Sequence, residues 1–548
     1  MGIVEIMPNA RFSLLPMPTL PWGKQPLLPL VIFSSGILMG LATAPLNLYP
    51  LAWIALVPLW VLLFGRGKAS GRSHLLLAGL WGMGYHGFAL SWILGLHPLT
   101  WMGVPWLASV GIAGFCWLFI TGWGAALVIL WAGLMARVDR WLLANPRLPL
   151  YRVLIGTALW CGLEGLWSLG ALYWTALSYT QSPGNLAILH LGQISGPGMV
   201  SAAIVAVNGC FAEACLAYQR REGLQSFRPA GLLSLGMGLL VSLHLLGATL
   251  AQQPLNDQAN LALPVGIIQG NVPTRIKLSP QGIRQAVNGY TQGYERLVDQ
   301  GMQAVLTPEG ALPFLWQEEQ WGQHPFAQVV VARGVVAWLG TFVSQQEQIT
   351  QSLLTLTSEG RSFSRYNKIK LVPLGEYIPF QAWIGGLIDR LSPIKADMVP
   401  GSSDQRFDTP FGRAIASICY ESAFPELFRA QAADGGQFIL TASNLDPYSE
   451  VLMAQHQAQD LMRAIETDRW AVRATNTGYS GMIDPHGQIR WRSQPHTYAI
   501  HGDTIYRRQT QTPYVRWGDW LTPLLLLLSL LILGWAGWQR STQKGVSA

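Results

Sequence analysis

Eight stretches of the chain are apolar enough to cross a bilayer: residues 27–46, 51–65, 74–96, 104–136, 153–173, 197–218, 231–250 and 520–538. The second is short and the fourth long. The first has no basic region directly before it and is followed by further spans, so it does not read as a cleavable signal peptide. Basic residues fall in alternate loops: Arg66, Lys68 and Arg72 after the second stretch, Arg137, Arg140, Arg147 and Arg152 after the fourth, Arg220, Arg221 and Arg228 after the sixth, and Arg540 and Lys544 in the tail. The loops after the first, third and fifth have no Lys or Arg. The positive-inside rule then puts both termini in the cytoplasm and the polar region between the seventh and eighth stretches on the outer face of the membrane.

Within that polar region the hydrophobic period changes. Residues 262–269 read as a strand ending at Gly270-Asn271, and Ile283, Val287, Tyr290, Tyr294 and Leu297 recur at helical spacing. Further strands are expected over 304–307, 335–344, 349–357 (with a turn at Glu359-Gly360), 413–418, 438–441 and 470–475, and a helix over 450–466. Strands and helices interleaved at this density predict an α/β layered domain. No internal repeat or low-complexity tract is visible, although 7–29 is proline-rich and expected to be irregular.

Composition agrees with a membrane enzyme or scaffold rather than one soluble domain: of 548 residues half are apolar, 24 are tryptophan and only 12% are charged. The formal net charge of +7 raises nucleic acid as a partner, but residues 252–518 hold 22 Lys+Arg against 23 Asp+Glu. The excess therefore lies in the loops between apolar stretches, which argues for membrane orientation and against a phosphate-binding face. Cys116, Cys161, Cys210 and Cys215 lie in apolar segments, as packing residues do, and suggest no disulfide framework.

Three ionisable residues stand where apolar runs end. Glu309 follows 304–308, Lys368 follows the hairpin-like 349–366, and Cys419, the only cysteine of the polar region, follows 413–418. Ends of neighbouring strands converge on one edge of a sheet, so these three can share a pocket. A carboxylate, an ammonium and a thiol together suit acyl transfer as base, oxyanion stabiliser and nucleophile. On pattern alone an inert buried cysteine and a surface Glu–Lys pair are the more frequent occurrences. His456, His486, His496 and His501 lack metal-ligand spacing and read as scattered surface histidines. Glu164 and Glu213, inside apolar stretches, are either functional or hydrogen-bonded between helices. No glycine-rich phosphate loop is present in the sequence.

The run Asn367-Lys368-Ile369-Lys370-Leu371-Val372-Pro373-Leu374-Gly375-Glu376-Tyr377-Ile378-Pro379 closely resembles the lysine segment of bacterial apolipoprotein N-acyltransferases. Thr307-Pro308-Glu309 and the run from Cys419-Tyr420-Glu421 to Phe424-Pro425-Glu426 resemble the other active-site segments of that family and of the wider nitrilase superfamily. Val472-Arg473-Ala474-Thr475-Asn476-Thr477-Gly478 with Asp484-Pro485, and in the apolar part Ala44-Pro45-Leu46-Asn47, Pro50-Leu51-Ala52, Glu164 and Asn208, are also similar. The resemblance implies eight transmembrane helices carrying an outer α-β-β-α nitrilase-like sandwich. Residues 1–251 would hold seven spans, 252–518 the periplasmic catalytic domain, and 519–548 the last span and a cytoplasmic tail.

It also implies roles: Cys419 as nucleophile, Glu309 as general base, Lys368 as stabiliser of the tetrahedral intermediate, and Glu376 and Glu421 as supporting carboxylates. A lysine beside the thiol is expected to favour thiolate. The family moves an acyl chain from a membrane phospholipid, through a cysteine thioester, to the α-amino group of the N-terminal S-diacylglyceryl cysteine of a lipoprotein. The expected partners are therefore the phospholipid and the lipoprotein, with no nucleic acid, metal or cofactor, in a monomeric protein of the inner membrane. Two segments depart from the family pattern: Leu278 stands where a tryptophan is common, and Asn444-Leu445-Asp446-Pro447-Tyr448 where the family usually has Asn-Asp-Xaa-Trp-Phe. Residues 377–395, apolar with a Gly385-Gly386 pair, read equally as a membrane-facing lid or as core. The rival readings are a membrane-tethered nitrilase-type amidase and a non-catalytic membrane scaffold.

Overall fold

The computed structural model describes residues 27–65, 71–142, 147–220, 229–317, 322–345, 348–373, 375–377 and 398–546. Each apolar stretch contains a helix, but only four helices among the described residues are long and apolar enough to cross a membrane: Trp106–Leu142, Pro197–Gln219, Pro229–Ala251 and Leu521–Thr542. Eight spans are therefore more than the helices by themselves establish. Leu28–Leu41 has 14 residues and Val57–Phe64 has 8, so at 1.5 Å per residue they rise only about 21 and 12 Å, short of a ~30 Å hydrocarbon core. A 3₁₀ turn at Tyr49–Trp53 interrupts the apolar run between them.

The polar region folds as two sheets. β1 (Ala262–Gln269), β2 (Ala304–Leu306), β3 (Leu312–Trp316), β4 (Val336–Gln345), β5 (Gln348–Leu356) and β6 (Ser362–Asn367) form the first. β7 (Phe407–Thr409), β8 (Gly412–Ile418), β9 (Ile439–Ser443), β10 (Ala471–Thr475), β11 (Gly481–Ile483) and β12 (Ile489–Arg492) form the second, and β13 (Ala499–Tyr506) returns to the first sheet beside β1. The first is ordered β13-β1-β2-β4-β5-β6, with β3 on β4; the second is ordered β12-β11-β10-β9-β8-β7. The central pairs β1–β2, β2–β4, β8–β9 and β9–β10 are parallel, so their carboxyl ends share an edge.

Alternation along the strands decides the layering. Val265 and Ile267 on β1 join Ile415, Leu440 and Val472 of the second sheet in one core, while Ile268 packs with Ala286, Tyr290 and Tyr294 of the helix Pro280–Asp299. The other face of the second sheet is covered by helices Pro425–Ala433 and Glu450–Thr467. The result is an α-β-β-α sandwich, and the strands and helices expected over 262–475 are found within one or two residues of their expected bounds.

The helix Glu450–Thr467 is polar in sequence, yet Leu452 to Thr467 is buried with the exception of Ala454. Its second face lies against the apolar part of the chain. Gln455 Nε2 donates to Ala44 O at 3.2 Å and Ala89 O at 2.9 Å, its Oε1 accepts from Trp174 Nε1 at 2.8 Å, and Ser182 Oγ donates to Ala458 O at 2.6 Å. These polar groups leave water only because each meets a partner.

In the apolar part, helices Leu28–Leu41 and Gly71–Ala89 touch backbone to backbone. A Cβ on Gly36 would lie 2.1 Å from Trp81 O, and one on Gly84 2.3 Å from Phe33 O, so both positions need glycine. Gly36→Ala and Gly84→Ala are each expected to force the helices apart and lower stability by about 1–3 kcal/mol. Gly111→Ala, which meets nothing within 4 Å, should melt like the parent in the same detergent.

Candidate active site

Four strand ends supply the site. β2 runs into Thr307-Pro308-Glu309, and this turn is clipped to β4 by Gly340 N–H donating to Thr307 Oγ1 at 3.0 Å and Ala311 N–H to Gly340 O at 2.8 Å. The fit needs glycine at 340, since a Cβ there would stand 2.1 Å from Pro308 O. β6 delivers Lys368, whose N–H donates to Gln351 O at 2.8 Å. β8 delivers Cys419, and β9 delivers Asn444.

Lys368 sits between two carboxylates. Its Nζ donates to Glu309 Oε1 at 2.9 Å and to Glu376 Oε1 at 2.6 Å, and its side chain is fully buried. The second oxygen of each carboxylate is held by backbone: Asn444 N–H donates to Glu309 Oε2 at 2.8 Å and Val372 N–H to Glu376 Oε2 at 2.8 Å. Burial pulls the Lys368 ammonium down, but Glu309 and Glu376, with Cys419, outweigh it and hold it well above the usual lysine range. Burial, and then the Glu309 charge, push Glu376 up against the pull of Lys368.

Cys419 opens a 3₁₀ turn, Cys419–Ala423, with φ of 52°, a left-handed conformation that costs a non-glycine residue energy. Its thiol is buried, 4.0 Å from Asn444 O, and is electrostatically coupled to Glu309, Lys368 and Glu376. Burial, then Glu309 and Glu376, push the thiol far above its usual range, and the opposing pull of Lys368 does not compensate. The expected pull of Lys368 toward thiolate is present, but burial first, and then the two carboxylates, outweigh it.

Glu421 is a clamp, fully buried. Its Oε2 accepts from Ile418 N–H at 2.7 Å and Tyr366 OH at 3.0 Å, and its Oε1 from Ile369 N–H at 2.5 Å and Lys370 N–H at 3.2 Å. One carboxylate thereby ties the end of β8, beside the thiol, to the end of β6, beside Lys368. Burial pushes it up to about 7 against these hydrogen bonds.

The site also contains groups that spacing did not single out. Lys277, at the end of the short helix Thr274–Lys277, is buried and donates from Nζ to the Glu309 carbonyl oxygen at 3.3 Å. Tyr420 OH donates to Ala171 O at 2.7 Å and its ring stacks on Trp174 at 6.0 Å, joining the nucleophile turn to the apolar part. His456 is not a surface histidine: it is buried, 2.9 Å from Arg473 Nη1, and burial, then Arg473, hold it well below its usual range. Arg473 also pairs with Asp460, which accepts from Ser422 Oγ at 2.6 Å. Helical period in 450–467 reveals an amphipathic face but gives no sign that the polar face is buried too.

The two divergent segments lie beside the site. Asp446 Oδ2 accepts from Thr274 N–H at 2.6 Å, Leu445 is fully buried, and the Tyr448 ring meets Trp92 at 5.6 Å, whereas Leu278 is 55% exposed. Of residues 377–395 only Tyr377 is among those described, so the choice between lid and core lies outside them. Glu164 accepts from Trp160 Nε1, Leu177 N–H and Ser201 Oγ, and Glu213 from Trp60 Nε1 and Arg152, which is the helix-to-helix bonding expected as one of their two readings.

Family comparison accounts for both halves of the chain. Residues 35–210 match the apolipoprotein N-acyltransferase N-terminal domain, and residues 252–499 match carbon-nitrogen hydrolase. A protein from Nostoc sp. named apolipoprotein N-acyltransferase is 55% identical over 91% of this chain and 97% of its own. The chain belongs to the apolipoprotein N-acyltransferase family. Proteins of the same name from Synechocystis sp. and Pseudomonas aeruginosa are 46% and 32% identical, over 90% and 94% of this chain and 98% and 97% of their own.

Two outcomes test the electrostatics of this family site. A thiol held above its usual range forms less thiolate at neutral pH, so iodoacetamide should alkylate Cys419 more slowly than a free cysteine and speed up as pH rises past about 9. Lys368→Met should slow alkylation further and Glu309→Gln should hasten it, read by intact-mass spectrometry against Cys419→Ala. Glu421→Gln keeps volume but turns one oxygen into a donor facing donors. It should cost about 1–3 kcal/mol per N–H left unpaired and reduce turnover, measured by melting and by assay.

Proposed function

We propose that this protein N-acylates lipoproteins, transferring an acyl chain from a membrane phospholipid to the α-amino group of an N-terminal S-diacylglyceryl cysteine. The observation that carries the reading is the Glu309–Lys368–Glu376 cluster beside a left-handed, buried thiol. The same thiol turn is bonded through Tyr420 to the apolar half of the chain.

Cys419 is the nucleophile, Glu309 the general base, Lys368 the oxyanion stabiliser, and Glu376 and Glu421 hold Lys368 and the Cys419 turn in place. In the first half-reaction Glu309 takes the Sγ proton as sulfur attacks the ester carbon. Lys368 stabilises the negative oxygen, and the C–O bond breaks to release lysophospholipid, which takes the proton. In the second, the acceptor amine attacks the thioester carbon, the C–S bond breaks and the thiol is restored. Because the resting thiol is held protonated, proton removal waits for substrate. This suits a buried site in which a persistent thiolate would be exposed to side reactions.

The topology that fits this chemistry has eight spans, with residues 1–251 carrying seven and 519–548 the last. Residues 252–518 then form a periplasmic catalytic domain over the inner membrane, both termini are cytoplasmic, and the protein acts as a monomer. Loop charge supports that orientation. Impermeant thiol labelling should reach a cysteine placed at exposed Gln348 and miss one placed at Ser541; the reverse pattern would overturn the orientation.

With phospholipid vesicles and no acceptor, intact-mass spectrometry should show one fatty acyl group on the protein. The adduct should be removable by neutral hydroxylamine, absent in Cys419→Ala, and reduced by a factor of about a hundred or more in Glu309→Ala or Lys368→Ala. Adding a diacylglyceryl-cysteine peptide should discharge the adduct onto the amine. Release of free fatty acid instead would indicate a hydrolase, and no adduct in well-folded protein a scaffold.

A further inference from the structure

Asn444 leaves the second sheet at the point where its ladder ends. Thr475 on β10 pairs with Ser443 on β9, and Asn476 N–H makes the closing bond, donating to Ser443 O at 3.0 Å. The main chain of Asn444 then turns to the site: its N–H donates to Glu309 Oε2 at 2.8 Å, and its carbonyl oxygen lies 4.0 Å from Cys419 Sγ. A single residue thus meets the base with one backbone group and the nucleophile with the other. With both backbone groups committed there, only its side chain is left to anchor it against the sheets.

The anchor is Asn476, fully buried just beyond β10. Its Nδ2 donates to Asn444 Oδ1 at 3.0 Å and to Val272 O at 2.7 Å, its Oδ1 accepts from Val272 N–H at 2.9 Å, and its carbonyl oxygen accepts from Asn271 N–H at 2.8 Å. The two bonds to Val272 fix which way the amide points, so the N–H that faces Asn444 cannot swing away. Val272 belongs to the segment after β1, which Asn271 enters with φ of 50°. Asn476 therefore joins the end of β1 in the first sheet to the end of β9 in the second, directly behind the residue that meets both reacting groups. The other side-chain contact of Asn444, from Nδ2 to Thr274 Oγ1, is longer, at 3.4 Å.

A buried amide with every bond made is ordinarily a stabiliser of the fold, and its loss then shows in melting rather than in rate. Here the chain of bonds ends on Glu309 and Cys419, and a displacement of about 1 Å between reacting groups can cost up to about a hundredfold in rate. We propose that Asn476 is a positioning residue for the acyl transfer: through the side chain of Asn444 it sets the main-chain group that holds the Glu309 carboxylate beside the Cys419 thiol. Being fully buried, Asn476 does not meet substrate, so its effect falls on the chemical step and not on phospholipid affinity. The proposal rests on Glu309 and Cys419 acting as base and nucleophile.

The test follows the rate of Cys419 acylation against phospholipid concentration in mixed phospholipid–detergent micelles, with full-length protein well below its melting transition. Asn444→Ala removes the acceptor of the tether and leaves both bonds of Asn476 to Val272, whereas Asn476→Ala removes all three. Asn444→Ala should lower the maximal rate by about tenfold with the half-saturating phospholipid concentration unchanged, and Asn476→Ala should lower it at least as far. Because both changes cut one link, the double variant should be no slower than Asn476→Ala. A parent maximal rate in folded Asn444→Ala, a loss confined to half-saturation, or losses that multiply in the double variant would overturn the proposal and leave Asn476 a purely structural amide. If Asn476→Ala does not fold, the maximal rate of Asn444→Ala decides by itself, a tenfold loss supporting the tether and a parent rate ending it. Glu309→Gln and Cys419→Ala are the controls for the underlying reading: acylation at the parent rate in either shows the base or the nucleophile to be misassigned, a failure that these variants report and the asparagine pair does not.

Discussion

The ammonium of Lys368, buried between Glu309 and Glu376, is the interaction on which the site depends. An ion cluster of this kind is costly to desolvate and holds together only when every partner is in place; removing one partner of a buried pair typically costs about 3–5 kcal/mol. Its partners come from three separate segments: the end of β2, the end of β6 and the turn after it. The sheet order β2-β4-β5-β6, with Gly340 letting the Glu309 turn lie directly on β4, is what brings them within hydrogen-bond reach. Glu421 then extends the same arrangement to the second sheet, since its four hydrogen bonds join β8 to β6 across the sandwich.

The nucleophile is the counterpart of that cluster and is held by opposite means. Where Lys368 is fixed by charge, Cys419 is fixed by backbone: its φ of 52° persists because the residues on either side are tied down, Ile418 to Glu421 and Tyr420 to Ala171 and Tyr173. The second of these ties reaches the apolar half of the chain. The turn that carries the thiol is therefore shaped partly by the catalytic sandwich and partly by the helices of the apolar half. The buried polar face of the helix Glu450–Thr467, with Gln455 bonded to Ala44 and Ala89, fixes the two halves against each other.

These contacts also explain the protonation state. A thiol near a lysine is commonly activated, but here burial raises the thiol most, and Glu309 and Glu376, which share the ammonium, raise it further. Proximity of unlike charges in sequence motifs therefore misleads when a third charge intervenes. Glu309 is the larger such charge and Glu376 the smaller, and their effect, like that of burial, depends on geometry that no spacing along the chain encodes.

The chain by itself determined the apolar stretches, the α/β alternation and the set of residues able to do acyl chemistry. Each of these is local: hydropathy over about twenty residues marks a helix able to enter lipid, and a period of two marks a strand with one covered face. Glu309, Lys368 and Cys419 were visible because each ends an apolar strand, and Glu376 and Glu421 through a resemblance to a family. Lys277 also follows a strand end, but a short helix intervenes and carries it inward, so nothing in its spacing separates it from a surface lysine. His456 reads as a surface histidine because a polar residue in a helix normally faces water. Only the tertiary structure decided otherwise, by laying the apolar half of the chain over that helix and giving Gln455 its partners there. Which charges neutralise one another, and hence whether the thiol is ionised at rest, was decided there too, because electrostatic coupling depends on distance in space between residues far apart in the chain.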